Sequence, residues 1–271
     1  MKTALVISSY VAASQVGATA SAFCLRRLGI EAITIPTTVL GRHPGWGEPG
    51  GKALSADHLR NMWAAIKAQN IKIDAVMTGY LAEDDQIDVA AEIIADVKTA
   101  NPDAIVLVDP VMGDHGKLYI PESRARAIIS NLIPLADVIT PNVWELSFIT
   151  GKPASQLDDI VDAAAALSTA CLVTSVPRSK AIGAAFIDGP ARYFVHHEAF
   201  TSVPHGGGDS LAATFLAHLL DGHLRRDALA KSVASIFAIL SAAIDADMGE
   251  LPLVREQDAL IIAKPLPIEI L

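Results

Sequence analysis

His205-Gly206-Gly207-Gly208-Asp209-Ser210 runs straight into Leu211-Ala212-Ala213-Thr214-Phe215-Leu216-Ala217-His218-Leu219-Leu220, so three glycines and one carboxylate meet at the first turn of an apolar, helix-length segment. Glycine has no Cβ, and its backbone N–H can crowd against a ligand. A helix N-terminus adds unpaired donors and partial positive charge, which favour an anion. A carboxylate beside a held phosphoryl group can take the proton of an attacking hydroxyl. Asp209 therefore reads as a general base with Gly206, Gly207 and Gly208 as anion-binding backbone. It reads equally as a plain helix cap on a Gly-rich turn. The two readings stand level on this stretch alone, and the rest of the chain weighs against the cap.

Working outward, short apolar runs at 4–7, 32–35, 75–78, 105–108, 138–139 and 172–174 read as buried strands. Helical patterns lie between them at 17–28, 55–69, 85–100, 122–132, 144–150 and 158–168, with Ser55 as a cap and Gly29 and Gly151 as stops. Pro36 ends the second strand. Residues 37–53 hold Gly41, Pro44, Gly45, Gly47, Pro49, Gly50 and Gly51, so an irregular, ligand-facing loop is expected there. Runs at 181–187 and 191–196, joined by Asp188-Gly189-Pro190, read as an antiparallel pair. Two long helices follow the glycine loop; in the second, Val233, Ile236, Phe237, Leu240 and Ile244 share one face. This alternation predicts an α/β fold with a mainly parallel sheet covered on both faces and late antiparallel strands at one edge. Ligands of such sheets bind beyond the carboxyl ends of the strands. Ser8, Ser9, Thr78, Asp109, Thr140, Asn142, Thr174 and Ser175 fall there.

The 271 residues, 51% hydrophobic and 19% charged, suffice for a sizeable core. With no repeat and no low-complexity linker, residues 1–271 read as one domain. A net charge of −9 without a basic block argues against nucleic acid as a partner. Cys24 and Cys171 form no C-x-x-C and fit a reducing cytoplasm. The opening apolar run is too short for a signal peptide, and no uninterrupted run approaches a membrane span.

Two motif matches fail on context. Gly45-Trp46-Gly47-Glu48-Pro49-Gly50 fits G-x-G-x-x-G but neither follows a strand nor opens a helix. Gly51-Lys52 resembles the end of a P-loop, but Trp46 and Ala53 replace its first glycine and its magnesium-binding hydroxyl. H-E-x-x-H and G-x-S-x-G are absent, and His196-His197 reads as structural or nucleotide-facing. More informative is Asp109-Pro110-Val111-Met112-Gly113-Asp114-His115-Gly116-Lys117-Leu118-Tyr119, followed by Thr140-Pro141-Asn142-Val143-Trp144-Glu145. Acidic side chains opposite a phosphate loop need a cation between them, and Mg²⁺ takes one or two carboxylates plus water and phosphate. Asp109 and Glu145 are the candidates, acting partly through water. Each also fits a turn or helix-start carboxylate.

These three segments, D-P-V-M-G-D-x-G-K-L-Y, T-P-N-x-x-E and G-x-G-D before a buried helix, resemble the ribokinase superfamily and its vitamin branch. Gly79-Tyr80-Leu81, Ser9 and Arg26-Arg27-Leu28-Gly29 narrow the resemblance to bacterial pyridoxal kinases. The resemblance implies a ribokinase-like three-layer α/β/α sandwich without a separate lid domain, usually a homodimer. It implies ATP-dependent phosphorylation of the 5′-hydroxymethyl group of pyridoxal, or of pyridoxine or pyridoxamine. Asp209 would be the base and the Gly206–Gly208 backbone would stabilise the γ-phosphoryl charge. Asp109 and Glu145 would organise Mg²⁺–ATP, with Asp114 nearby and K⁺ as an open second cation. Thr140, Thr174 and Ser175 would face the nucleotide. Ser9 and Tyr80 would meet the pyridine ring, and His43, Pro44 and Gly45 would lie in the loop over the substrate.

The chain departs from that pattern in two places. Arg42-His43-Pro44 stands where Asn-His-Thr is common, which removes a hydroxyl and leaves Trp46 to supply stacking. Gly207 stands where threonine is common. A hydroxymethylpyrimidine or sugar kinase therefore stays open as an alternative, as does a vitamer-binding protein without turnover.

Overall fold

The computed structural model describes residues 1–271. Its strands are β1 (Thr3–Val11), β2 (Glu31–Leu40), β3 (Gly51–Ala53), β4 (Ala75–Thr78), β5 (Ile105–Val108), β6 (Gly113–Asp114), β7 (Lys117–Leu118), β8 (Val138–Ile139), β9 (Ala170–Arg178), β10 (Ala181–Asp188), β11 (Ala191–Glu198) and β12 (Glu269–Ile270). Its helices are α1 (Gly17–Arg27), α2 (Ala56–Lys67), α3 (Asp84–Ala100), α4 (Glu122–Asn131), α5 (Val143–Thr150), α6 (Leu157–Ala165), α7 (Gly207–Leu220), α8 (Arg225–Asp245) and α9 (Ala259–Ile262). Ten strands form one sheet in the order β12-β11-β10-β9-β8-β5-β4-β1-β2-β3, and β6 and β7 make a separate hairpin. The run from β9 to β2 is parallel. Antiparallel strands flank it on both sides, β10 to β12 at one edge and β3 at the other. The expected antiparallel strands at one edge are thus joined by one more at the opposite edge.

Side chains alternate across a strand with period two, and here both sets are apolar. Leu5, Ile7, Val76, Val106, Val108 and Ile139 pack with α2 to α6. Ala4, Val6, Ala75, Met77, Leu107 and Val138 pack with α1, α7 and α8. Two apolar interiors result, one on each face, and the architecture is α/β/α.

Four local expectations change. β2 continues through Pro36 to Leu40; Pro36 falls at the irregular register between β1 and β2, where a missing N–H is tolerated. Part of 37–53 is then regular, because β3 pairs with Thr38–Leu40. β9 runs past Thr174 through a bulge, where Thr174 and Ser175 together oppose Ala184 and Ser175 takes φ 59°. One helix, α8, is long and apolar enough to cross a membrane. Arg225, Arg226, Asp227 and Lys231 hide that from a search for unbroken apolar runs. Within the fold α8 packs on α7, β10 and β11, and most of its apolar segment is buried.

Candidate active site

The sheet delivers polar groups to one rim. Ser8 and Ser9 on β1, Thr78 closing β4, Asp109 after β5 and Thr140 after β8 are all buried. The Ser8 and Thr78 hydroxyls have no hydrogen-bond partner, a state native interiors rarely leave unexplained. Gly79 makes room for Ser8, because a Cβ there would strike its hydroxyl.

α7 presents Asp209 to this rim. Its N-cap is Gly206, in the left-handed region at φ 95°, and no side chain caps the helix. Asp209 therefore sits within the first turn of the helix, and the plain-cap geometry is not adopted. Gly206 lies against the Gln15 carbonyl, so a Cβ would collide with it, whereas Gly207 and Gly208 have open space around them. The first-turn donors are thus left bare for an anion. Gly206→Ala combines that collision with about 1–2 kcal/mol of left-handed strain. It should lower both thermal stability and turnover, while Gly207→Ala leaves stability within about 0.5 kcal/mol. Melting curves and rates for the pair test this contrast.

Behind Asp209 stands Gly17, a residue the sequence reading missed. Its N–H lies near enough to the Asp209 carboxylate to favour the charged form, and a Cβ on it would strike Ser9. Gly17 opens α1 at φ 56°, so Ser9, Gly17 and Asp209 form one packed unit. Burial raises the Asp209 pKa, with the Gly17 N–H drawing it down.

Asp109 lies within electrostatic reach of both Asp209 and Glu145. Burial pushes Asp109 well above the ordinary carboxylate range; the Asp209 and Glu145 charges add to this, and Thr140 draws it partly back. Burial lifts Glu145 to about 7 although three backbone N–H groups oppose the shift. Those donors come from Asn142 at 2.9 Å, Met112 at 2.8 Å and Gly113 at 3.3 Å. Asn142 returns a bond to the Glu145 N–H, completing a capping box at the head of α5. Its side-chain amide also donates to the Gly113 carbonyl at 2.8 Å. Glu145 and Asn142 thereby clamp the 112–113 turn to α5, a task the spacing alone did not reveal. Asp114 sits partly exposed in β6, and its charge reaches Glu145. No three His, Cys, Asp or Glu side chains gather closely enough to hold a metal unaided.

The remaining candidates line the same rim. Thr174 bridges to Asn142, and Ser175 is exposed on its bulge. Tyr80 is half-buried against the α2–α6 interior, and its carbonyl accepts from Thr37 at 2.7 Å. His43, Pro44 and Gly45 form a short turn over the N-terminal side; the His43 Nδ1 accepts from the Gly45 N–H at 3.1 Å. Cavities around Lys2, Lys98 and His223 open at the opposite rim of the sheet, by the starts of the parallel strands, and hold none of these residues.

The sequence and the fold both match known proteins. Residues 23–254 match the family described as phosphomethylpyrimidine kinase. The pyridoxal kinase PdxY of Corynebacterium diphtheriae is 32% identical over 267 residues, covering 94% of each chain. That of Vibrio vulnificus is 31% identical, covering 99% of this chain and 97% of its own. The fold matches that of the pyridoxal kinase from Entamoeba histolytica with a TM-score of 0.93 at 24% identity over the whole of both chains. A pyridoxal kinase from Leishmania donovani, solved with ADP and pyridoxamine, matches with a TM-score of 0.91 at 24% identity over 99% of each. Bare backbone donors at the head of α7, a carboxylate in its first turn and an acidic pair across the rim thus coincide with full-length similarity, and the chain belongs to the pyridoxal kinase family of the ribokinase superfamily.

Proposed function

We propose that this chain is a single-domain enzyme that transfers the γ-phosphoryl group of ATP to the 5′-hydroxymethyl group of pyridoxal, pyridoxine or pyridoxamine. The observation that carries the reading is Asp209, uncapped at the head of α7 beside open Gly207 and Gly208 and facing Asp109. Asp209 takes the hydroxyl proton as the oxygen attacks. The N–H groups of α7's first turn receive the charge of the transferring group. Thr140, Asp114, Thr174 and Ser175 line the nucleotide side; Ser9, Tyr80 and the 43–45 turn line the acceptor side.

The acidic pair suits a divalent cation. Glu145 has both oxygens engaged by backbone N–H groups and so meets a cation through water, whereas Asp109 is buried and strongly repelled by its neighbours, a state a cation relieves. Mg²⁺, which keeps several waters and binds through one or two carboxylates plus phosphates, would neutralise charge on the nucleotide there. The reading extends to K⁺ as a second cation and to a homodimer.

Incubation with ATP, Mg²⁺ and pyridoxal should give the 5′-phosphate, followed by its absorbance, at a higher kcat/KM than hydroxymethylpyrimidine or a sugar. A preference for hydroxymethylpyrimidine would move the assignment to that acceptor. Tight vitamer binding with no turnover under any metal or nucleotide would make the chain a binding protein.

A further inference from the structure

His205 has no part in the reading above. Its imidazole stacks on that of His43, with ring centroids 4.4 Å apart and planes 29° from parallel. A side chain at Gly45 would also lie close to the His205 Nε2. The His205 backbone bridges to Glu250, and Glu250 accepts from the Ser14 hydroxyl and the Gln15 N–H. Gln15 in turn packs its carbonyl on Gly206. A further contact joins Trp46 to Gly249. The tip of the 41–50 segment is therefore fastened to the two chain segments that brace the catalytic turn, and its ring contact is with a residue four positions before Asp209.

We propose that His205 is a positioning residue for the acceptor: by stacking on His43 it holds the 43–46 turn over the acceptor side and sets affinity for the ring-bearing alcohol without entering phosphoryl transfer. The inference rests on the kinase reading. Three features support it. The Nδ1 of His43 accepts from Gly45, so a neutral His43 carries its proton on Nε2, where it remains available to a ligand. Burial lowers the His43 pKa, His205 lowers it further and Glu250 opposes them; Arg42 and Glu48 flank the turn, and Arg42 donates to the Glu48 carbonyl at 2.8 Å. The 43–46 turn also has no buried side chain of its own, so the ring pair and Trp46 supply its anchorage.

Removing the ring partner with His205→Ala should raise KM for pyridoxal about three- to tenfold, the worth of one aromatic pair. It should leave kcat and KM for ATP within about twofold, the pattern of lost uniform binding. His205→Phe restores the stack and should recover most of the pyridoxal KM. In parallel, the His43 imidazole followed by NMR should titrate at higher pH in His205→Ala than in the unaltered enzyme. An unchanged pyridoxal KM in His205→Ala, a failure of phenylalanine to rescue it, or a fall in kcat that matches the rise in KM each overturns the proposal. If the unaltered enzyme phosphorylates no vitamer, the kinase reading fails instead. The NMR titration then still reports whether His205 governs His43.

Discussion

Asp209→Asn should lower kcat by about 10²–10⁴-fold, the range general-base catalysis contributes. Asparagine keeps the shape and still offers an oxygen to the Gly17 N–H, so KM for ATP and for the vitamer should change little. That combination, a loss in kcat with binding retained, marks an interaction that matters only in the transition state. Retention of more than about a tenth of the rate would remove Asp209 from the role of base. The pH profile supplies an independent reading. A base must be ionised to accept a proton, so activity rises with pH through its pKa. Burial raises that pKa in Asp209, which places the acidic limb of kcat/KM above the ordinary carboxylate range. Asp109 lies within electrostatic reach, so the limb belongs to the coupled carboxylates and not to one residue. In Asp209→Asn the limb should flatten.

Glu145 makes a second large effect, on stability. Its carboxyl is raised from an ordinary 4.5 to about 7 in the fold. The folded chain therefore binds a proton that the unfolded chain has released, and the Glu145 contribution to stability falls as pH rises from about 4.5 to 7. One pKa unit corresponds to about 1.4 kcal/mol, so this single carboxyl weakens the metal-free fold by roughly 3 kcal/mol across that window. His218, lowered to about 4 by burial and nearby positive charge, acts in the opposite sense over part of the same range. The test is therefore the difference between the unaltered chain and Glu145→Gln. Denaturant unfolding should show the glutamine variant gaining on the parent as pH rises from 5 to 7. A pH-independent difference would mean that the Asn142, Met112 and Gly113 donors hold Glu145 ionised throughout. Mg²⁺ with nucleotide should shrink the difference, since a nearby cation favours the charged carboxylate.

Much of the frame was legible because the parallel strands are short, apolar on both faces and bounded by polar residues. β4, β5 and β8 start and end where the apolar runs at 75–78, 105–108 and 138–139 do. Pro36 misled because a proline within a run usually ends it, whereas here it falls at an irregular step in the ladder. The bulge at Thr174 and Ser175 and the pairing of β3 with β2 depend on partners distant in sequence, which a local pattern does not encode. The short α9 and β12 carry too few residues to show a period. At the site, residue types that carry chemistry stood out, while supporting groups did not. Gly17 matters through its N–H and its missing Cβ, and Asn142 and Glu145 matter through a reciprocal bond pattern. His205 matters through a ring that meets it from a loop some 160 residues away in the chain.

From Ser210 to Leu220 α7 is buried at every position but one, wedged between the sheet, α1 and α8. By contrast, no residue of 41–50 belongs to either apolar interior. In the function proposed above, reaction chemistry thus rides on the buried heart of the molecule, and acceptor choice on an exposed fringe. Grafting that ten-residue fringe from a relative with a different appetite is a route to new alcohols, with the proton-abstracting machinery left as it stands.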